Sequence, residues 1–341
     1  MILMSKSCKQ FLFILISFTF IVFYRCNAPR NNPLDPKNPD SRYIVLSGDI
    51  KTLSLPSEPI PGVTVLWRPE SKTVEADGNG HFTFAGLLPQ PGWLRVSKDG
   101  YLPDSIFVEK FNTNRAATQF YLNAKPVLDS LAVYSIVLNR YPSLITSRIV
   151  LKCKITDRDN DIDSVYIQNN YLNIKKYLLF NVNERLYEKT WNLYDLNIRS
   201  ADEVVGHNFD FFVKDRFGHT IFVGRDNVRR VIHQEVQFKS PSSYQSVSST
   251  PRLEWYRFDP GFPFQFDVQV YTDEISPERV WEKRNISADS TAVTVDTSLP
   301  DNDYFWVIWC VDEFHNRSRS KPATFTIRSS KLSHAGTANF K

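Results

Sequence analysis

The chain has 341 residues, of which 42% are hydrophobic, 14% aromatic and 23% charged. This length predicts two or three domains, and the apolar content suffices for packed cores, which argues against a wholly disordered chain. The formal net charge is +4, but residues 1–26 hold three of the 41 basic residues and none of the 37 acidic ones. Beyond Cys26 the two signs almost balance. That balance removes the case for a protein that binds nucleic acid or another polyanion.

Residues 1–26 have the features of an export signal. Lys6 and Lys9 precede an unbroken apolar run over residues 11–23. This run is too short to span a bilayer comfortably, and it matches the apolar core of a signal peptide. The chain is therefore predicted to be exported.

Cys26 follows this run and is the predicted lipid attachment site. Its position resembles that of the cysteine at which bacterial lipoproteins are cleaved and acylated, although Phe23, Tyr24 and Arg25 replace the small residues usual before it. Residues 27–42 contain four prolines and no periodicity, and they resemble the tethers that hold lipoprotein domains off a membrane. The resemblance implies an anchor in the outer membrane or at the cell surface. An uncleaved N-terminal anchor and a simple secreted form are the alternatives.

Residues 43–124 form the first predicted β domain. Residues 63–67 alternate along a strand, and residues 77–84 combine a Gly-rich turn with another strand. In order, the segments resemble the carboxypeptidase regulatory-like domain, a small transthyretin-like β-sandwich, with Trp93 where that family commonly has another residue. The matching segments are Gly48, residues 59–65, 77–84 and 88–92, and the pair Gly100-Tyr101. That family's module carries no catalytic residues, so the resemblance implies support or binding.

Two further β-sandwiches are predicted after Ala124. Residues 209–215 and 306–312 share a pattern in which alternating apolar residues run into an aspartate. These aspartates are 97 residues apart, about the length of one β-sandwich, which indicates one strand-plus-hairpin unit used twice. The predicted bounds are 125–235 and 236–328, followed by a polar tail at 329–341.

The last of these domains resembles a fibronectin type III domain. Residues 251–255 match the P-x-L-x-W pattern of an early strand in that family, and residues 299–306 resemble its L-x-P-G-x-x-Y-x-W approach to the sixth strand. The middle domain resembles bacterial immunoglobulin-like sandwiches more loosely. Its stretch 169–205 has mixed periodicity and predicts an insertion or a short helix.

An acidic cluster is the only candidate for a metal site in the sequence. Asp157, Asp159, Asp161 and Asp163 alternate in a way that resembles the opening of a calcium loop. The glycine and the closing glutamate of an EF-hand are both missing, which excludes that motif. A turn rich in aspartate is the main prediction and a calcium site the alternative, because aspartate binds its own backbone in turns. No metal and no cofactor are predicted.

No pattern of catalytic residues is recognisable. The six histidines are scattered without metal-ligand spacing, and no nucleophile elbow, P-loop or dinucleotide fingerprint occurs. Cys153 and Cys310 fall in different predicted domains and are expected to be buried, unpaired small residues. The protein is therefore predicted not to be an enzyme.

One strand is apolar on both faces. Phe305, Val307 and Trp309 lie opposite the predicted core face of the strand near residue 306. A strand of a β-sandwich usually has polar residues on the face that points to solvent. Either another domain packs on this face, which is the preferred explanation, or it is an exposed patch for a partner.

The sequence thus predicts an all-β protein with three tandem β-sandwich domains after an export signal and a flexible tether. The predicted function is a non-catalytic, lipid-anchored surface protein that acts as a structural, adhesive or protein-interaction module. Its partners would be the membrane, through the anchor, and an unknown surface protein or glycan. The alternative is a carbohydrate-binding accessory protein of a cell-surface glycan-processing system, for which a solvent-exposed Trp67 or Trp93 would be the signature.

The lipid anchor has a direct test. Metabolic labelling with a radioactive fatty acid should label the full chain, and the Cys26→Ser variant should lose the label because it lacks the thiol that is acylated. Equal labelling of both chains, or of neither, would contradict an anchor at Cys26.

Overall fold

The computed structural model describes residues 43–109, 111, 115–139 and 144–328. The predicted export signal with Cys26, the tether 27–42 and the tail 329–341 lie outside these residues. The described residues are all-β, with short 3-10 turns, as the sequence predicts. Across them, no helix has the length and apolarity needed to cross a membrane. The chain divides into two compact units at Ala124 and Lys125.

The first unit is a sandwich of two small sheets. Its strands are β1 (Ile44–Thr52), β2 (Thr64–Trp67), β3 (Lys72–Glu75), β4 (His81–Leu87), β5 (Gly92–Ser97), β6 (Asp104–Val108) and β7 (Arg115–Leu122). One sheet has the order β4-β1-β7, with β1 and β7 parallel, and the other is antiparallel with the order β3-β2-β5-β6. A 3-10 turn at Arg68–Glu70 follows β2.

The alternation read from the sequence defines the core of this sandwich. Val63, Val65 and Trp67 are buried together with apolar residues of both sheets. The Gly-rich turn before β4 is closed by Asp77, whose Oδ1 accepts the backbone N–H groups of the residues two and four positions later. These two donors, first His81 and then Asn79, hold the pKa of Asp77 below its usual value. The predicted turn and the strand after it are confirmed, and because β3 and β4 lie in different sheets the turn connects the two sheets of the sandwich.

The second unit contains two sandwiches with separate hydrophobic cores. The middle sandwich has β8 (Val127–Leu138), β9 (Thr146–Thr156), β10 (Ile162–Asn169), β11 (Ile174–Tyr177), β12 (Leu179–Asn181), β13 (Leu186–Asn192), β14 (Phe209–Asp215) and β15 (Thr220–Asp226). The stretch 169–205 forms strands and two 3-10 turns, Tyr194–Leu196 and Ala201–Val204. Its mixed periodicity therefore reflects short strands and turns.

The last sandwich has nine short or medium strands. They are β16 (Phe238–Ser240), β17 (Gln245–Val247), β18 (Arg252–Trp255), β19 (Phe264–Thr272), β20 (Arg279–Ser287), β21 (Ala292–Thr294), β22 (Asn302–Asp312), β23 (Arg317–Arg319) and β24 (Ala323–Ile327). The Tyr304 hydroxyl donates to the carbonyl of Pro300 at 2.9 Å, which is the geometry of a tyrosine corner in immunoglobulin-like sandwiches. Ile232 and Val236, on either side of the predicted boundary, both pack in this last core.

The repeated unit seen in the sequence folds as the same hairpin twice. In β14 and β22 the alternating apolar residues are buried, and each strand ends in a buried aspartate, Asp215 or Asp312. One carboxylate oxygen of each accepts the backbone N–H groups of the residues two and four positions later. The other oxygen differs in its partner, which is the imidazole of His219 in the first copy and the amide of Asn316 in the second.

A single continuous sheet joins the two sandwiches of the second unit. Its path runs β12-β13-β9-β8-β23-β22-β19-β20, and it crosses from one sandwich to the other where β8 pairs in parallel with β23. Ile136 lies opposite Arg317, and Leu138 opposite Arg319. Backbone hydrogen bonds between strands fix direction and register, so this pairing restricts rotation between the sandwiches.

Asp312 is at the centre of this junction. Its fully buried carboxylate meets the guanidinium of Arg230, which lies on the segment between the two sandwiches, at 3.2 Å. Asn316, held by the same carboxylate, accepts the backbone N–H of Ser135 in β8 at 2.9 Å. The Ser135 hydroxyl in turn donates to the Arg230 carbonyl at 2.9 Å. The connecting segment, the last hairpin and the first strand of the middle sandwich thus share one polar network.

Removing the cation of this network should be costly. Arg230→Ala leaves the buried Asp312 carboxylate without its ion pair, and we expect the free energy of unfolding to fall by about 3 kcal/mol. Arg225→Ala breaks an exposed ion pair with Asp210 and should cost at most about 1 kcal/mol. Urea denaturation of both variants measures the difference. Equal losses would contradict a special role for the junction.

Candidate functional site

The open face of β5 and β6 presents two aromatic rings to solvent. Leu94 and Val96 of β5 point into the core, so Trp93 lies on the opposite face, where it is 50% exposed. Phe107 is its cross-strand neighbour, with ring centroids 5.3 Å apart in an edge-to-face arrangement. Trp67, by contrast, is completely buried in the core. Of the two tryptophans that the sequence offered as signatures of sugar binding, the structure exposes Trp93.

A groove of about 480 Å³ runs beside Trp93, within the size range of ligand sites. Its other lining residues are Arg68, Arg95, Pro103, Asp104 and Ser105. Both arginines are exposed, and neither side chain makes an ion pair or a hydrogen bond with the residues that the structure describes. The groove therefore combines an aromatic ring with two cations that have no ion-pair or hydrogen-bond partner among the described residues.

Gly92 brings Arg68 to this groove. A Cβ atom at Gly92 would lie 2.1 Å from Cγ of Pro69, so only glycine lets the Arg68–Glu70 turn rest on the start of β5. No pattern in the sequence singles out Arg68, Arg95 or Phe107 as residues of one site. The alternation of the apolar residues Leu94 and Val96 along the strand does predict that Trp93 and Arg95 lie together on the opposite, open face.

The second face of β22 is covered mainly by side chains of its own sheet. Phe305 stacks on Tyr271 with ring centroids 5.2 Å apart, and Val307 is buried. Trp309 is partly buried, and its Nε1–H donates to Oε1 of Gln269 at 2.8 Å. The guanidinium of Arg317 lies 5.8 Å from the Trp309 ring.

Arg317 also connects this face to the middle sandwich. Its guanidinium lies 5.1 Å from the ring of Tyr134 in β8, so one cation bridges aromatic rings of both sandwiches. Arg319 lies over Trp309 as well, at 5.9 Å. The structure thus brings Phe305, Val307 and Trp309 together next to the junction. Whether they bind a partner stays a prediction.

The aspartate cluster folds as a turn. Asp157 Oδ2 accepts the backbone N–H of Asp161 at 2.8 Å, and Asp163 Oδ2 accepts the hydroxyl of Ser164 at 3.2 Å. Within residues 43–328, as far as they are described, no three His, Cys, Asp or Glu side chains come together in a way that could hold a metal ion. The carboxylates of Asp157 and Asp163 thus bind the local chain, which is the behaviour expected of a turn.

Each histidine of the described chain contacts another side chain, and His315 packs edge-to-face on Tyr134. His219 and His233 contact aspartates at 2.6 and 2.8 Å, while His207 stacks on a tyrosine. His81 bridges Asp49 and Thr83, in an order that resembles a catalytic triad. However, Asp49 and His81 are cross-strand neighbours on a sheet surface, and each side chain is about half exposed. Their hydrogen bond therefore links β1 to β4 at a solvent-exposed position.

Several solved structures align with this chain, at low sequence identity and with low TM-scores. No protein-family model matches the sequence, and no curated protein matches it. The fibronectin(III)-like modules of CbhA from Clostridium thermocellum align at 12% identity over 62% of this chain and 97% of theirs, with a TM-score of 0.30. The FN1–FN3 domains of chicken CNTN1 align at 9% identity over 78% of this chain and 88% of theirs, with a TM-score of 0.29.

The major pilin subunit BcpA of Bacillus cereus is a third structure in this group. It aligns at 8% identity over 84% of this chain and 96% of its own, with a TM-score of 0.24. At such identities and TM-scores, the three alignments carry no inference about a ligand or a partner.

Both cysteines of the described chain are free and buried, in separate cores. Burial raises the pKa of Cys153 and of Cys310 to about 12. At pH 8 only about one thiol in ten thousand would then be the reactive thiolate. The two residues pack as small apolar side chains, as the sequence predicts.

Thiol labelling tests this environment. With iodoacetamide at pH 8, Cys153 and Cys310 should stay unmodified in the native protein and react fully in denaturant, as read by peptide mass spectrometry. The variant Asp289→Cys supplies an exposed cysteine as the control that labels in the native state. Native labelling of Cys153 or Cys310 at the rate of this control would contradict the burial.

Proposed function

We propose that the protein is a non-catalytic, exported structural and interaction module, held at the cell surface through a lipid on Cys26. The observation that carries this proposal is the junction in the second unit. There one continuous sheet and the buried Asp312–Arg230 pair join two sandwiches. Domains linked in tandem usually move relative to one another. A pair locked in this way is suited to hold a binding surface at a fixed distance and angle.

The chemistry of the described side chains supports a role without catalysis. Cys153 and Cys310 are poor nucleophiles because burial raises their pKa values. His219 contacts the buried Asp215 of a hairpin turn, where it stabilises local structure. Partners would be bound by surfaces, of which the face with Phe305, Val307 and Trp309 is one candidate.

Rigidity of the second unit is measurable with spin labels. Labels at Asn183→Cys and Asp289→Cys, in a chain with Cys8→Ser and Cys26→Ser, report the distance between the middle and last sandwiches. Double electron–electron resonance should give one narrow distance distribution. Combining Arg230→Ala with Asn316→Ala should broaden it, since both polar links to β8 and the connecting segment are lost. We expect Trp309→Ala to broaden it less.

The matched control is Arg225→Ala, which removes an arginine of the same unit without touching the junction and should leave the distribution narrow. A broad distribution in the parent chain would overturn the proposal of a rigid module. If Trp309→Ala changed neither the distribution nor the binding of any partner, its predicted contact role would be lost.

A second function is favoured by one observation, the exposure of Trp93. An aromatic ring that is half exposed on a sheet face, next to polar groups, offers both an apolar surface and hydrogen-bond donors. This arrangement suits a carbohydrate-binding accessory protein. Binding of polysaccharides to the full chain, with Trp93→Ala as the variant, tests this function.

A further inference from the structure

The aromatic pair on the first sandwich stands out against a polar sheet face. Among the neighbouring positions of this face, Thr64, Thr73, Glu75 and Ser97 are polar and exposed, and Leu66 is half-buried. Trp93 and Phe107 are therefore a local exception to the usual alternation of buried apolar and exposed polar residues. Exposed aromatic groups of this kind are a sign of a binding surface.

The groove also has a net positive charge, although basic and acidic residues almost balance over the chain beyond Cys26. Arg68 and Arg95 carry two positive charges, and Asp104 carries one negative charge whose Oδ1 accepts the backbone N–H of Ser105 at 2.7 Å. The balanced charge of the whole chain argued against a polyanion partner, but that balance hides this excess of one cation at the groove. Unpaired guanidinium groups bind carboxylates through two parallel hydrogen bonds.

We propose that this groove binds an acidic polysaccharide, with a sugar ring packed on Trp93 and its carboxylate held by Arg68 and Arg95. The inference rests on the carbohydrate-binding function proposed above and names its ligand class. The flat ring of Trp93 supplies apolar contact at little cost in conformational entropy. The arginines supply selectivity, because a neutral sugar would leave both cations without a counter-charge.

The positions of these groups favour a glycan over an acidic peptide. A peptide strand that added to this sheet would pair with one of its two edge strands. On β3 it would be separated from Trp93 by β3 and β2, and on β6 it would lie outside β5. Arg68 lies on the other side of β5, next to β2, so a strand added at β6 would not reach it. A ligand that contacts Trp93 and both arginines must cross the sheet face, where no strand backbone is offered for pairing.

Binding of matched polysaccharides to the full chain tests the proposal. Isothermal titration with polygalacturonate and with alginate should show binding, and fully methyl-esterified polygalacturonate should bind at least about tenfold more weakly because its carboxylates are neutral. Binding of the acidic chains should weaken as salt is raised, while binding of the ester should change little. We expect Trp93→Ala to weaken binding of both forms about tenfold.

Two further variants separate charge at the groove from charge in general. Arg95→Gln should lower the affinity for the acidic chains toward that for the ester, with Arg68 still in place, whereas Arg257→Gln, an equal charge change at an exposed residue of the last sandwich, should leave it unchanged. Phe217→Ala removes a similarly exposed ring from the middle sandwich and controls for Trp93→Ala. Circular dichroism melts confirm that each variant is folded.

The outcomes distinguish the two proposals. Equal binding of the acidic and esterified chains, with no effect of Arg95→Gln, would overturn the acidic ligand and leave carbohydrate binding in place. No binding of any polysaccharide would overturn both. Binding of polyglutamate that Arg95→Gln weakens, without binding of polysaccharide, would overturn the glycan in favour of an acidic peptide.

Discussion

The fully buried carboxylate of Asp312 is the constraint on which the second unit depends. A buried charge is costly unless it is paired and hydrogen-bonded, and here two backbone N–H groups, an amide and the Arg230 guanidinium all bind it. Because Asn316 also binds β8 through Ser135, satisfying this one charge fixes where the middle sandwich lies. The parallel pairing of β8 with β23 adds a second set of contacts across the same junction.

The two copies of the hairpin show how a repeated element acquires a new role. Asp215 closes its turn with His219, which lies in the same hairpin. Asp312 closes an equivalent turn with Asn316 and has Arg230 as an additional partner from outside the hairpin. The contact of Asp215 with His219 lies within the middle sandwich, whereas Asp312 contacts Arg230 of the connecting segment, and Asn316 contacts Ser135 of the neighbouring sandwich. A change of two partners turns a local turn into a junction.

The first sandwich places its candidate site by a similarly small feature. Gly92 has no side chain to collide with Pro69, so the turn after β2 can lie on β5 and Arg68 can reach the groove beside Trp93. The sheet behind the groove has its core face packed, with Leu94 and Val96 buried, so the rings and cations stand on a rigid support. Rigid support is what a binding site on an open sheet face requires, since it lowers the ordering cost of binding.

Local patterns in the sequence determined the strands, their buried faces and the repeated hairpin, because alternation has a period of two and turns need particular residues. They also placed Trp306, Ile308 and Cys310 in one core, where the structure confirms them. Only the tertiary structure decided that Arg68 joins Arg95 and Trp93 in one groove, and that Arg230 pairs with Asp312. Those contacts join segments far apart in the chain, and no local pattern records which distant partner a side chain will meet.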